Sequence, residues 1–504
     1  MKNSRVLLIY PPNQLMDIET PRPDGSLGPL YLASSLERNG ISTEVLDASV
    51  GGKGYSLEDT FYRNIKQENG LTRIGMNFSE IADYVSRNNY NVVGISSNFT
   101  PQTNMAINTA RAIKESSPNT KIYAGGVNAR ALNERFLRTG YFDGICLTEG
   151  ELIFPRLILE GRENTPGIAY IKDNNIITNP VDLSCFPASL DELAMPSWEK
   201  LPMDKYSKIA SPHGVDVTES HSKKYAPMMT SRGCVFKCLY CHISSEGKES
   251  DFGNLGKLRT HSIERVINEM DTLKSLGIER IFFEDDTLLA IKPRVKEIFS
   301  IAKDKGFSIS NVNGVNLINF FKEYSSNKWE IDIDYLNILK QAGFEQVVFP
   351  IESGSQRILD KYASGKVKLD RMDLSLLMRT MSDMNIKAPV NLMIGFPDET
   401  EEEVKKSIEM GKRMIDSGAP YVTFFIPIPF PGSRLYDMAL LNGNLENNFD
   451  PDTFNWKRPV MINTNIPRER IEELRDYANE EVNKKEHLKK RLEDSIGYRW
   501  KSNS

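Results

Sequence analysis

Residues 231–241 read SRGCVFKCLYC and put Cys234, Cys238 and Cys241 inside eight residues, a C-x3-C-x2-C spacing. Clustered thiolates bind zinc or iron–sulfur centres. Four would close a tetrahedral site, and three leave it one short. A zinc reading must therefore borrow His242, whose position next to Cys241 makes sharing one metal awkward, or a distant ligand. A 4Fe–4S cluster on three thiolates instead leaves one iron open, which is useful if a cofactor must bind iron directly. Cys146 and Cys185 stand alone and read as buried small apolar side chains. Five cysteines in 504 residues make no disulfide framework, so a reducing compartment is expected.

The elements that must position these thiols follow a βα rhythm. Over residues 1–160, strands are predicted at Arg5–Tyr10, Ser42–Asp47, Asn91–Ser96 and Lys121–Ala124, with a shorter one near Gly144–Leu147. Helical stretches such as LGPLYLASSLERNG, FSEIADYVSRN and NMAINTARAIKESS lie between them. This predicts an α/β fold with a doubly wound parallel sheet, whose strand-end loops PPNQ, DASVGG, SSNFTPQ and GGVNAR share the edge where ligands sit. Residues 161–225 read as a connector, with a small hairpin in TPGIAYIKDNNIITNP and then a Pro-rich, weakly periodic run. Over 226–440 the rhythm resumes. Strands predicted at Met228–Thr230, Ile281–Glu284, Ser308–Val312, Gln346–Ile351, Val390–Ile394 and Val422–Ile428 suggest a partial (β/α)6 barrel with its chemistry at the strand ends. Residues 441–504 form a charged helical C-terminal region, read as a solvated packing or capping element.

Composition sets the outer limits. A 504-residue chain exceeds one hydrophobic core, and 40% hydrophobic with 26% charged residues is an ordinary globular mix. A net charge of -5 gives no broad attraction for nucleic acid or acidic lipid. The N-terminal VLLIY is too short for a signal-peptide core or a membrane span, so no membrane partner and a cytoplasmic location are expected.

The cysteine motif, with Tyr240 before its last Cys, resembles the signature of the radical S-adenosylmethionine (SAM) superfamily; Val235 replaces the usual proline. FFEDDTLL, FPIESGSQRILDKYASGK, MIGFPDET and PIPFPGSRLY resemble later strand-end segments of that superfamily's cobalamin-binding branch. PPNQ, LGPLYLASSLERNGISTEVLDAS, VVGISSNFTPQ, AGGVNARA and DGICLTEGE resemble the branch's cobalamin domain, so the likeness spans roughly residues 4–440. It implies that Cys234, Cys238 and Cys241 hold a 4Fe–4S cluster whose open iron chelates SAM. One electron, from a reductant such as flavodoxin or ferredoxin, would then yield a 5′-deoxyadenosyl radical. By the same resemblance Glu352 and Ser353 lie beside SAM, Asp285 and Asp286 lie near its amine or ribose (or cap a helix), and Tyr240 packs near adenine. Pro429, Pro431 and Gly432 shape the barrel rim.

On the cobalamin side, Ser96, Ser97, Asn98 and Thr100 are expected at the corrin or its nucleotide tail, unless they only cap a helix. Gly125, Gly126 and Asn128 would let a large planar ligand approach the backbone, and Glu149, Gly150 and Glu151 follow the fifth strand. No histidine precedes His213, so no imidazole of the N-terminal domain can lie beneath cobalt. The resemblance implies a methyltransferase. A substrate radical would take the methyl of methylcobalamin, and a second SAM would restore it. Oxidative ring closure or ring contraction with the same cofactors stays open, as do a sheet that has lost its corrin and a non-catalytic metal-binding module. The substrate is expected to be a small molecule or peptide, with candidate contacts at His213, Asp216 and His221, at Asn311, Asn313 and Asn316, and in the tail after residue 450.

Overall fold

RVLLIY is apolar without interruption from Val6 to Ile9, the mark of a strand covered on both faces. It forms β1 (Arg5–Tyr10), flanked by β2 (Ser42–Asp47) and β3 (Val92–Ser96), with β4 (Lys121–Gly125) and β5 (Gly144–Cys146) beyond. The parallel order is β2-β1-β3-β4-β5. The hairpin expected in the connector joins this same sheet antiparallel, as β6 (Ile168–Lys172) and β7 (Asn175–Thr178). Leu7 and Ile9 face α2 (Phe78–Arg87) and α3 (Thr103–Ser116), packing in one core with Ile81, Val85, Ala106 and Ala110. Val6 and Leu8 face the other way, toward α1 (Leu27–Arg38) and α5 (Gly150–Glu160), through Ala33, Leu36, Phe154 and Leu157. α4 (Val127–Ala131) follows β4.

The computed structural model describes residues 4–16, 19, 27–209, 223–247, 250–311, 313–322 and 329–489. They fall into two compact units, one drawn from Met1–Ala210 and Glu246–Leu255, the other from Ser211–Ser245 and Gly256–Asp494. Among the described residues no helix is long and apolar enough to cross a membrane.

In the second unit β8 (Tyr225–Met228), β9 (Arg280–Phe283), β10 (Ser308–Asn311) and β11 (Phe344–Val347) form one parallel sheet. β12 (Phe349–Glu352), β13 (Val390–Met393) and β14 (Val422–Phe425) form another. The strand expected over Gln346–Ile351 is thus split at Val348. The Val347 and Phe349 amides continue the pairing by donating to the carbonyls of Lys387 and Pro389. α6 (Ile263–Ser275), α7 (Lys292–Ala302), α8 (Ile333–Gln341), α9 (Gln356–Tyr362), α10 (Leu374–Asp383) and α11 (Glu401–Asp416) alternate with the strands, and α12 (Arg434–Leu441) follows β14. Among the described residues no pairing joins β8 to β14.

The free edge of β14 is covered by the C-terminal helix α13 (Arg468–Val482), which buries Ile471, Leu474, Ala478 and Val482. Its C-cap Asn483 acts as a substitute strand: Val422 N donates to Asn483 Oδ1 and Asn483 Nδ2 donates to Val422 O, both at 2.8 Å. The helix, read from the sequence as a solvated packing or capping element, thus satisfies an edge that would otherwise present unpaired backbone groups.

Candidate functional site

The cysteine loop leaves β8 and is held from four directions. Asp285, just beyond β9, is fully buried and accepts bonds from Thr230 N (3.0 Å), Thr230 Oγ1 (2.7 Å) and Ser231 Oγ (2.6 Å). Burial pushes its pKa up although these bonds favour the ionised form. Asp286 Oδ2 accepts from Gly233 N at 2.9 Å. Gly233 has φ +83°, and a Cβ there would stand 2.4 Å from the Lys257 carbonyl oxygen, so only glycine fits. Cys234 N donates to Gly256 O, Leu239 N to Tyr362 O and Leu435 N to Leu239 O. The acidic pair expected near SAM thus spends these bonds on the loop's backbone and hydroxyls, and neither residue caps α7, whose N-cap is Ile291.

The three thiols occupy one short loop, with Cys238 buried and Cys234 and Cys241 half-buried. Burial pushes the Cys241 thiol up to about 12 and raises Cys238 as well. Among the described residues no three Cys, His, Asp or Glu side chains are gathered as a ready metal site. The donor set still fits an iron–sulfur cluster by type and number, and its burial demands a cationic partner for the thiolate form. Cys146 and Cys185 are buried in the N-terminal core, as expected of small apolar side chains.

β12 ends on Glu352, a non-glycine residue with φ +74°. That conformation is uncommon for an L-residue and clusters where geometry is over-determined. Glu352 Oε1 accepts from Tyr240 Oη and from Lys366 Nζ, each at 2.8 Å. Burial and the Glu352 carboxylate hold the Tyr240 phenol well above its ordinary pKa, so it stays a neutral donor. Ser353 and Gly354 face elsewhere. The Ser353 hydroxyl lies 3.2 Å from that of Ser407 on α11, and a Cβ at Gly354 would sit 2.2 Å from the Lys406 carbonyl oxygen. Any part Ser353 takes beside SAM falls to its backbone. Tyr240 packs with Phe396 (ring centroids 6.1 Å apart), which stacks on Tyr362 at 4.4 Å. Gly432 has φ +87° in the turn ahead of α12. Lys366 ends the FPIESGSQRILDKYASGK segment, yet nothing in one dimension marks a lysine 14 residues after Glu352 as its buried partner.

The asparagines proposed as substrate contacts do not converge. Asn311 pairs with Phe283, which packs edge-on against Phe299 of α7, and this places Asn311 on the helix-facing side of its sheet. Asn313 Nδ2 donates to Glu284 O, and Asn316 Nδ2 to Thr287 Oγ1. His213, Asp216 and His221 lie outside the described residues.

In the first unit the sheet order reverses between β1 and β3, and an open α/β sheet has its binding crevice beyond the strand ends at such a point. Gln14 and Gln102 tie the two strand-end loops with reciprocal bonds: Gln14 N donates to Gln102 Oε1 at 3.0 Å and Gln102 Nε2 to Gln14 O at 2.9 Å. Ser96 ends β3 opposite Gly125. Ser97 N donates to Gly125 O, and the Ser97 carbonyl accepts from the amides of Asn128 and Ala129, so Ser97 joins the loops and serves first-turn amides of α4, whose N-cap is Gly126. Asn128 Nδ2 donates to Ser97 Oγ and Thr103 Oγ1, both at 2.9 Å, while the Thr100 carbonyl accepts from Thr103 Oγ1. Asn98 is exposed.

The glycines divide in role. A Cβ on Gly126 (φ +104°) would meet Asn98 Oδ1 at 2.3 Å and Ser97 O at 2.5 Å, so this glycine serves loop packing rather than ligand approach. Gly125 has only Cys146 Cβ nearby, at 3.7 Å, and keeps the open space expected of it. Gly150 lets α5 pack on Leu32 of α1; Glu149 is that helix's N-cap, and Glu151 is buried with its carbonyl accepting from Ser35 Oγ. The DASVGG loop is filled from the connector. Lys205 Nζ donates to the carbonyls of Val50 and Gly51 at 2.8 Å, and Tyr206 Oη donates to Asp47 Oδ2 at 2.7 Å. Two buried atoms of the edge, Asn128 Oδ1 and Thr148 Oγ1, have no hydrogen-bond partner among the described residues. Buried polar atoms of this kind are rare unless a ligand or water serves them, so the edge fits a large polar-rimmed cofactor such as cobalamin.

Comparison with known proteins agrees with this geometry. Residues 228–411 match the radical SAM superfamily and residues 25–158 the B12 binding domain. An uncharacterized methyltransferase of Pyrococcus horikoshii is 29% identical over 496 residues, covering 96% of this chain and 91% of its own. The cytidylyl-2-hydroxyethylphosphonate methyltransferase of Streptomyces wedmorensis is 24% identical over 520 residues, 95% of this chain and 90% of its own. Among solved structures, the radical SAM methyltransferase TsrM from Kitasatospora setae, with tryptophan substrate and a SAM analogue bound, superposes with a TM-score of 0.61 at 15% identity, covering 89% of this chain and 79% of its own. The cobalamin-dependent SAM radical enzyme OxsB gives a TM-score of 0.59 at 18% identity, covering 95% and 62%. The chain thus combines an N-terminal B12-binding domain with a radical SAM domain, the architecture of cobalamin-dependent radical SAM enzymes.

Proposed function

We propose that this protein is a methyltransferase that moves a methyl group from methylcobalamin to an unactivated carbon of a small-molecule or peptide substrate. The observation that carries the reading is the pairing, in one chain, of a three-thiol loop beside Glu352 with a B12 edge that has no histidine to offer cobalt. Two relatives similar over nearly their whole length are named methyltransferases, which supports methyl transfer over ring closure. When bound, the cluster and SAM supply radical initiation and the cobalamin supplies the methyl group.

The chain's own residues bind and orient. Cys234, Cys238 and Cys241 hold the cluster, and the bonds from Asp285 and Asp286 fix where their loop stands. Glu352, held by Tyr240 and Lys366, would bind the amine of SAM, and Phe396 with Tyr240 would supply an apolar wall for adenine. Asn128 and Thr148 would offer hydrogen bonds to the polar rim of cobalamin, with Ser97 holding Asn128 and Gly125 leaving open space. A flavodoxin- or ferredoxin-like reductant supplies electrons.

The test is anaerobic turnover of protein reconstituted with iron, sulfide and cobalamin, against candidate substrates with mass detection. Methylated product together with both 5′-deoxyadenosine and S-adenosylhomocysteine is expected. Formation of 5′-deoxyadenosine and a dehydrogenated product, without S-adenosylhomocysteine, would overturn methyl transfer.

A further inference from the structure

Lys366 is 7% exposed, and its ammonium lies 2.8 Å from the Glu352 oxygen that also accepts from Tyr240, the residue just before the third cysteine. The turn carrying Lys366 is fastened to the cysteine loop twice: Leu239 N donates to Tyr362 O at 2.8 Å, and Lys237 N to Ser364 Oγ at 3.2 Å. These two bonds, made by the amides on either side of Cys238, tie the turn before Lys366 to the cysteine loop. An ammonium has three donors, and Glu352 takes one of them. A buried charge persists only when paired, and one carboxylate already shared with a phenol is a thin counterweight. Burial opposes the charge on Lys366, but Glu352 first, and then the sulfurs of Cys238 and Cys234, outweigh it and raise its affinity for a proton.

We propose that Lys366 is a positioning residue with two tasks, orienting Glu352 and offsetting the negative charge that the cluster gains on one-electron reduction. This rests on the reading that the three cysteines hold a 4Fe–4S cluster. A reduced cluster on three thiolates, with Glu352 beside it, accumulates negative charge in a partly buried site where Coulomb terms are weakly screened. A fixed cation there favours the reduced state and so raises the potential at which a biological reductant can load the electron.

The experiment is an anaerobic redox titration of the reconstituted full chain without SAM, using dithionite and mediators, read by electron paramagnetic resonance with iron and sulfide counted per chain. Lys366→Met is expected to lower the reduced fraction at fixed potential tenfold or more, a shift of about 59 mV for a one-electron couple, while Lys366→Arg stays within about threefold of wild type. Glu352→Gln should move the midpoint the opposite way, and the double variant Lys366→Met/Glu352→Gln should return it near wild type. An unchanged midpoint in Lys366→Met at wild-type iron content overturns the proposal. If Lys366→Met loads no cluster, the double variant decides. Loading with a wild-type midpoint supports a charge pair, whereas failure to load assigns Lys366 to packing and overturns it. A wild-type chain that takes up no cluster sinks the underlying cysteine reading instead.

Discussion

At the residue scale, one glycine and one carboxylate show how little freedom surrounds the thiol loop. Gly354 looks in sequence like part of a SAM-binding ESG, yet its missing side chain is demanded by the Lys406 carbonyl of α11. Gly354→Ala is therefore expected to cost about 1–3 kcal/mol of stability from overpacking against backbone, measured by urea denaturation. Cys238→Ser should abolish retention of iron and sulfide after anaerobic reconstitution while leaving circular dichroism unchanged; wild-type iron content in that variant would contradict its role as a ligand. The cysteines were legible because three thiols in eight residues have few uses. The partners of Asp285 were not, because Thr230 and Ser231 lie more than 50 residues away in sequence and are brought to it by the parallel pairing of β8 and β9.

At the element scale, strands and helices were largely readable from periodicity, and the departures have physical causes. The strand over 346–351 breaks at Val348 where the pairing passes from one sheet to the next. The C-terminal helix reads as charged and solvated, but its Asn483 serves a strand edge that no local pattern announces. Asn483→Ala should cost about 1–3 kcal/mol by leaving the Val422 backbone groups unsatisfied, seen as a lower denaturation midpoint. Glu399, in the turn between β13 and α11, is fully buried. It accepts from the amides of Gly395 and Phe396 through Oε2, while Oε1 has no hydrogen-bond partner among the described residues. Burial, opposed chiefly by these two amide bonds, pushes its pKa to about 7. A raised acid holds a proton in the folded state that the unfolded chain has released. This contribution is therefore present below the ordinary carboxylate range and is lost as pH rises toward 7, by roughly 3 kcal/mol. Glu399→Gln should flatten the stability profile between pH 5 and 8 relative to wild type; an unchanged slope would assign the effect elsewhere.

At the scale of the whole molecule, the two units are not simple consecutive blocks. The segment Glu246–Leu255, which follows the cysteine loop in sequence, belongs to the first unit. There Glu246 makes a buried ion pair with Arg130, whose guanidinium also lies 5.3 Å from the Phe252 ring centroid. Burial lowers the Arg130 pKa, with Glu246 opposing it, and breaking such a pair strands the remaining charge. Arg130→Met should destabilise the first unit by about 3–5 kcal/mol, and the double variant Arg130→Met/Glu246→Gln should recover most of that loss in calorimetry. Equal losses in the single and double variants would mean that packing, not charge, is at stake.

The sequence by itself determined the chemistry on offer: three thiols at a cluster spacing, an N-terminal stretch without histidine, and the strand rhythm of two α/β units. These are local properties, set by residue type, spacing and alternation along a few tens of residues. Only the tertiary structure decided which side chains meet. Lys366 and Tyr240 converge on Glu352, Asn98 takes the space left by Gly126, Asn311 turns to the helix side, and Asn483 closes an edge. Each of these depends on strand register, on burial or on a positive φ, and those are fixed by packing between segments distant in sequence.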